Sequence, residues 1–149
     1  MNMTEVGKTP WHLWVVGVLS FLWHCIPVSD YIGFKTKAAW YIAGADLKPA
    51  QIAWVDAYPV WADVGWALGV WGAMAGSLLL LVRSRHAASA FLISLIGLAI
   101  MSAYQVGMQA KEYQALFGEG VLMFLGLIWV IAIALFFYAR AMAAKGVLR

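Results

Sequence analysis

The chain has 149 residues, 64% of them hydrophobic and only 11% charged, with a formal net charge of +3 and a mean hydropathy of +0.82. Charged residues make up roughly a quarter of an ordinary soluble domain, so this composition excludes a soluble enzyme or binding domain and describes one compact integral membrane unit. The positive charge is no nucleic-acid signal, because Lys and Arg sit at the ends of apolar runs and form no basic stripe interleaved with aromatics.

Residues 1–9 are polar. Pro10 then opens a helix, where its missing N–H costs nothing, and Trp11, His12 and Trp14 read as an interfacial anchor. The first span covers about 11–28. No small-x-small cleavage site follows it, since Pro27-Val-Ser-Asp-Tyr31 is a poor substitute, so the span reads as an uncleaved helix. Gly17, Ser20 and His24 step by three and four and share a face, which turns His24 towards the bundle. The single Cys25 has no partner for an intramolecular disulfide and reads as a small apolar helix residue.

Residues 30–59 are too polar to span and rich in aromatics. A structureless loop of this length is unusual, so the segment is expected to form one or two short interfacial helices. One covers about Lys35–Ala43 and stops at Gly44; the other starts at Pro49 and ends near Tyr58. Trp40, Trp54 and Tyr58 would rest at headgroup depth.

The second span, about 60–82, carries small residues at Ala62, Gly65, Gly69, Gly72 and Gly76. The three-four spacing places them on one stripe, where another backbone can approach closely. Arg83-Ser-Arg-His86 is a tight basic turn. The third span, about 87–106, has its own stripe of Ala87, Ala90, Ser94 and Gly97. So short a turn makes the two spans antiparallel neighbours, with Gly76 opposite Ala90 and Gly69 nearer Gly97. Residues 107–118 form a connection, and the fourth span covers about 119–139. The expected fold is an all-α membrane four-helix bundle.

Four spans put Lys8, Arg83, Arg85, Arg140, Lys145 and Arg149, with Glu5, on one side. Lys35, Lys37, Lys48 and Lys111 fall on the other, with Asp30, Asp46, Asp56, Asp63, Glu112 and Glu119. The balance, +5 against −2, predicts that both termini face the cytoplasm and that the interfacial segment faces the periplasm or exterior.

Pro10-Trp-His-Leu-Trp14, Trp23 with Asp30-Tyr31, Pro49-Ala-Gln51 and Pro59 with Trp66-Ala-Leu-Gly-Val-Trp-Gly72 carry a resemblance, as do Gly76-Ser-Leu-Leu-Leu-Leu81 and Phe91-Leu-Ile-Ser-Leu95. Over most of residues 10–105 the chain resembles small four-span bacterial inner-membrane proteins of uncharacterised activity, some automatically labelled sugar transporters. Such proteins usually have Asn after the first-span Trp, where this chain has His24. The resemblance implies the four-span fold and the inner-membrane location.

His24, Asp30, Asp63, Gln105, Gln109 and Glu119 are the candidate site residues. All are expected in the outer half of the membrane or its interface, where they would line one outward-facing polar cavity, with Asp30, Tyr31 and Tyr104 at its rim. Intramembrane ionisable groups are costly and often functional. The plainer alternative has Asp63 and Glu119 capping helix N-termini and His24 bonding Ser20, a carbonyl or Asp63. No metal is expected, because His24, Asp63 and Glu119 on separate spans carry no spacing signal. No haem or other cofactor is expected from His12, His24 and His86, and no catalytic motif points to an enzyme. Of two functions, the first is the favoured reading and the second its alternative. The first is an accessory or assembly subunit, whose partners are the lipid bilayer and a larger membrane complex or a second copy of itself. The second is an oligomeric transporter or channel for a small solute or protons.

Overall fold

The computed structural model describes residues 8–149; the polar start at 1–7, Glu5 included, lies outside them. Four of its helices are long and apolar enough to cross a membrane, and the protein is a multi-pass membrane protein. They are α1 (Trp11–Thr36), α4 (Val60–Leu81), α5 (Ala87–Ser102) with a π-helical extension (Ala103–Met108), and α7 (Val121–Ala144). Three short helices, α2 (Ala39–Gly44), α3 (Pro49–Asp56) and α6 (Ala110–Phe117), lie at the end opposite the basic turn. Among the described residues there is no strand. Hydrocarbon offers the backbone no hydrogen bonds, so each spanning segment must satisfy its own N–H and C=O groups, and a helix does so.

Several boundaries differ from the sequence expectation. The first helix does not stop at Val28 but runs through Pro27 to Thr36. Pro27 removes one helical donor, a loss that membrane helices tolerate. Ser29 Oγ donates to the Cys25 carbonyl at 2.9 Å and Thr36 Oγ1 to the Ile32 carbonyl at 2.7 Å, so both polar side chains fold back onto the helix instead of ending it. Lys37 ends it in the left-handed conformation (φ 53°), with the Ala38 N–H closing on the Gly33 carbonyl at 3.2 Å. The interfacial segment therefore starts near 37 rather than 30, Asp30 belongs to the first helix, and α2 begins at Ala39 rather than Lys35. The third span is wound as far as Met108, beyond the expected 106, because the π turn keeps Gln109 N–H bonded to the Tyr104 carbonyl at 3.1 Å. The fourth starts at Val121 rather than 119 and continues to Ala144 rather than 139. Gly118, at φ 93°, delays its start, and the Ala-rich Ala141-Met-Ala-Ala144 prolongs it. The connection 107–118 contains a helix, α6, that was not expected.

The α4–α5 hairpin is the most closely packed pair. A Cβ on Gly72 would come within 2.9 Å of the Ser94 nitrogen and 3.2 Å of the Ala90 carbonyl oxygen. One on Gly97 would fall on the Gly69 nitrogen and lie 2.6 Å from the Gly65 carbonyl oxygen. Ser94 Oγ donates to the Gly69 carbonyl at 2.7 Å, a bond that only this close approach permits. Gly76 faces the Phe91 ring rather than Ala90. α1 packs on the α4 flank of the hairpin and α7 on the α5 flank. α1 and α7 approach each other where His12 Nδ1 shares a 2.6 Å hydrogen bond with the Tyr138 hydroxyl, and again where the Trp23 and Phe124 rings lie 6.2 Å apart.

Two apolar clusters close the ends of the bundle. At the basic end, Leu13, Leu80, Phe91, Ala139 and Met142 pack with Val147 and Leu148. Arg149 N–H donates to the Arg83 carbonyl at 2.7 Å and Arg85 N–H to the Arg149 carbonyl at 2.9 Å, which holds the C-terminal segment on the α4–α5 turn. At the other end, Phe34, Trp54, Val55, Ala62, Met101 and Tyr104 form a largely aromatic cluster beneath α2, α3 and α6.

Candidate binding cavity

Between the two clusters lies a cavity of about 610 Å³. Its walls come from the inner faces of α1, α4, α5 and α7, where Val70, Ala73, Leu98, Leu125 and Ile128 present apolar surface. Gly65, Gly69 and Ser94 of the small-residue stripes also border it. Its roof exists because α3 and α6 pair. Gln51 Nε2 donates to the Leu116 carbonyl at 2.8 Å, while its Oε1 accepts the Lys48 N–H at the start of α3 at 2.8 Å. Trp54 stacks on Tyr113, ring centroids 5.5 Å apart and 14° between planes, and meets Tyr58 edge-on at 4.9 Å. Trp54 is thus buried inside the protein, because α6 supplies an aromatic face for it to cover. Tyr41, Tyr58, Tyr113 and Phe117 bring that roof into the cavity wall.

Three of the six polar candidates line the cavity: His24, Asp30 and Gln105. His24 is deeper than expected. It meets Ser77 and Phe91, each about one turn from the α4–α5 turn, so it belongs to the basic-end half rather than the outer half. The extra length of α1 beyond Val28 produces this offset. Its partner is neither Ser20 nor Asp63. Ser77 Oγ donates its one proton to the Ala73 carbonyl at 3.1 Å, so His24 Nδ1–H donates to Ser77 Oγ at 2.8 Å. Ser20 bonds the Gly17 carbonyl instead.

Asp30 lies about 9 Å further along α1 by helical rise. It accepts a 2.9 Å hydrogen bond from the Tyr41 hydroxyl. Gln105, carried on the π turn, donates from Nε2 to the Tyr58 hydroxyl at 3.2 Å. The other three candidates do not join them. Asp63, in the first turn of α4, is ion-paired with Lys35 outside the cavity and caps nothing with its side chain. Gln109 follows the π segment and does not line the cavity. Glu119 is exposed in the turn before α7, because the helix starts two residues later than its sequence suggests, and it neither caps the helix nor borders the cavity. Tyr31 packs on Trp66 at 4.9 Å, and Tyr104 is buried against Tyr58 rather than at a rim.

The chain has four aspartates, Asp30, Asp46, Asp56 and Asp63. Lys48 takes Asp46 at 2.7 Å, Lys37 takes Asp56 and Lys35 takes Asp63. Among the described residues, Asp30 is the one aspartate without an ion pair and the only Asp, Glu, Lys or Arg in the cavity wall. Burial raises the pKa of the Tyr41 hydroxyl, and the neighbouring Asp30 carboxylate raises it further. Burial also raises that of Tyr58, and pushes Tyr113 up to about 12. The roof hydroxyls therefore stay protonated and able to donate. No three His, Cys, Asp or Glu side chains converge as a metal site would require among the described residues. Chemically, the arrangement is an apolar container with hydrogen-bonding groups and one carboxylate near an aromatic roof.

The sequence did not single out Tyr41, Tyr58, Trp66 or Tyr113 as lining residues. A signal was present in the four-residue spacing of Tyr113 with Phe117, which puts the pair on one helical face. Compared with known proteins, the chain matches no family model, no curated protein and no solved structure.

Proposed function

We propose that this protein holds a small, predominantly apolar organic molecule inside its bundle, as the binding step of a small-solute transporter in a bacterial inner membrane. The cavity carries this reading. Binding pockets for small molecules span roughly 300–1,000 Å³ and combine apolar walls with a few placed polar groups; this one has about 610 Å³, with His24, Asp30, Tyr41, Tyr58 and Gln105 among mainly apolar neighbours. The inner-membrane location, with termini in the cytoplasm, is supported by the basic end and by the resemblance described above. The test fills the space. Ala132 on α7 borders the cavity, so Ala132→Phe should abolish saturable binding of apolar probes to the purified protein in nanodiscs, and their flux in proteoliposomes. Binding and flux that persist unchanged in that variant would refute the reading.

A second reading, an accessory subunit of a larger membrane assembly, draws on α7. It packs chiefly on α5 and turns Met123, Val130 and Phe137 outward, a surface that suits lipid or a partner helix. Purification in mild detergent separates the two: a stoichiometric membrane partner supports it, and a monomer with none counts against it.

A further inference from the structure

We infer that the cavity selects an organic cation on an apolar body, its charge paired with Asp30 and its bulk held between the apolar walls and the aromatic roof. The inference rests on the proposed binding function and adds the charge and class of the ligand.

Each other aspartate has a lysine, but Asp30 has only the Tyr41 hydroxyl. A hydroxyl satisfies part of a carboxylate's accepting capacity and none of its charge. Lys35, the nearest cation along α1, is occupied by Asp63 and lies over the Tyr31 and Trp66 rings at 5.9 and 5.8 Å. An unpaired carboxylate facing a low-dielectric space attracts positive charge strongly, because Coulomb attraction scales inversely with the dielectric.

The surroundings of Asp30 are aromatic. Phe34, Tyr41, Tyr58 and Trp66 share the cavity wall with it. Aromatic faces attract ammonium and phosphonium groups through their quadrupoles, most strongly where water is excluded. Among the described residues the wall holds no Lys or Arg, so no fixed positive charge there would offset that of an anion. The volume admits a bulky cation but not a long peptide. The cation reaches this site either as a soluble amphipathic molecule or as the amine headgroup of a bilayer lipid, and both sources share one chemistry.

Tetraphenylphosphonium and tetraphenylborate are near-isosteric ions of opposite charge and serve as probes. The protein is placed in nanodiscs and binding is read from its tryptophan emission, corrected for empty nanodiscs. The phosphonium should bind saturably. Asp30→Asn should weaken it by at least about tenfold, the change that ~1.4 kcal/mol makes, while Asp30→Glu retains most of the affinity and Asp46→Asn all of it. The borate should bind more weakly and be indifferent to Asp30→Asn. Melting temperatures of all variants establish that they fold, and Tyr41→Phe, which leaves the charge in place, supplies a milder perturbation that should preserve the preference for the cation.

Equal binding of both ions, abolished for both by Ala132→Phe, would overturn the charge selection and leave the cavity reading standing. Binding of neither ion would overturn both. Exchanging the neutral lipid from a glycolipid to phosphatidylethanolamine, at constant anionic content, identifies the source. Weaker phosphonium binding in the phosphatidylethanolamine discs makes the bilayer amine the occupant, and unchanged binding makes it a soluble cation; either supports an Asp30-centred cation site.

Discussion

Gly97 is the residue with least room in the hairpin. A side chain there would meet backbone on the facing helix, the Gly69 nitrogen and the Gly65 carbonyl oxygen, and backbone cannot swing away as the end of a side chain can. Gly97→Leu should therefore cost at least the ~1–3 kcal/mol typical of overpacking and lower the melting temperature in detergent. Gly126→Leu on α7, where nothing lies within 4 Å, should leave it unchanged. Equal melting of the two variants would mean that α4 and α5 do not pack at this spacing. Gly69 is more permissive, because the nearest atom a Cβ there would meet, the Leu98 nitrogen, stands 3.4 Å away. The stripe itself is legible from the spacing Gly65, Gly69, Gly72, Gly76. Which glycine is tightest depends on the axial offset of two helices, which no single stripe encodes. His24 shows the same division, because its inward direction follows from Gly17 and Ser20, whereas its depth and its bond to Ser77 follow from how far α1 slides along α4.

At the level of elements, α1 and α6 departed furthest from expectation. Pro27, Ser29 and Asp30 read as a helix end, yet the helix continues, with the Ser29 and Thr36 hydroxyls bonded back to it and Gly33 closed against the Tyr41 ring of α2. The sequence Ala110-Lys-Glu-Tyr-Gln-Ala-Leu-Phe117 reads as a polar connection, but Tyr113 and Phe117 share a face that α3 needs. The roof makes a pH prediction. Tyr113 has an ordinary pKa of 10.0 and is pushed up to about 12 by burial, with Tyr58 raised as well. The folded state thus keeps protons that the unfolded state loses above pH 10. Its stability should hold up to about pH 10 and fall as the pH rises towards 12. The loss should be smaller in Tyr113→Phe, measured by thermal unfolding across pH 8–12. A loss of the same size in that variant would exclude Tyr113 as a contributor.

For the whole molecule, the charge asymmetry predicts orientation. Arg83, Arg85 and Arg149 are brought together by backbone hydrogen bonds at one end, while α2, α3 and α6 occupy the other. In a Cys25→Ser background, Glu112→Cys should react with an impermeant maleimide on intact cells, and Lys145→Cys only after permeabilisation. The reverse pattern would invert the proposed topology. The four-span architecture was readable throughout, since hydrocarbon forces apolar segments of about 20 residues into helices whatever their neighbours do.

By itself the sequence determined that the chain crosses a membrane on four helices, that the second and third pair through small residues, and that one end is basic. These are local or periodic properties, set by the polarity of a segment and the pitch of a helix. Only the tertiary structure decided that Asp30, Tyr41, Tyr58 and Gln105 converge on one cavity while Asp63 and Glu119 stay outside it. Convergence depends on where α1 ends, on the π turn that carries Gln105 and on an α3–α6 roof joined through Gln51, each a relation between distant segments. Asp63 has the more polar-looking place in the sequence, but Lys35 pairs with it, and the one aspartate without an ion pair among the described residues is Asp30.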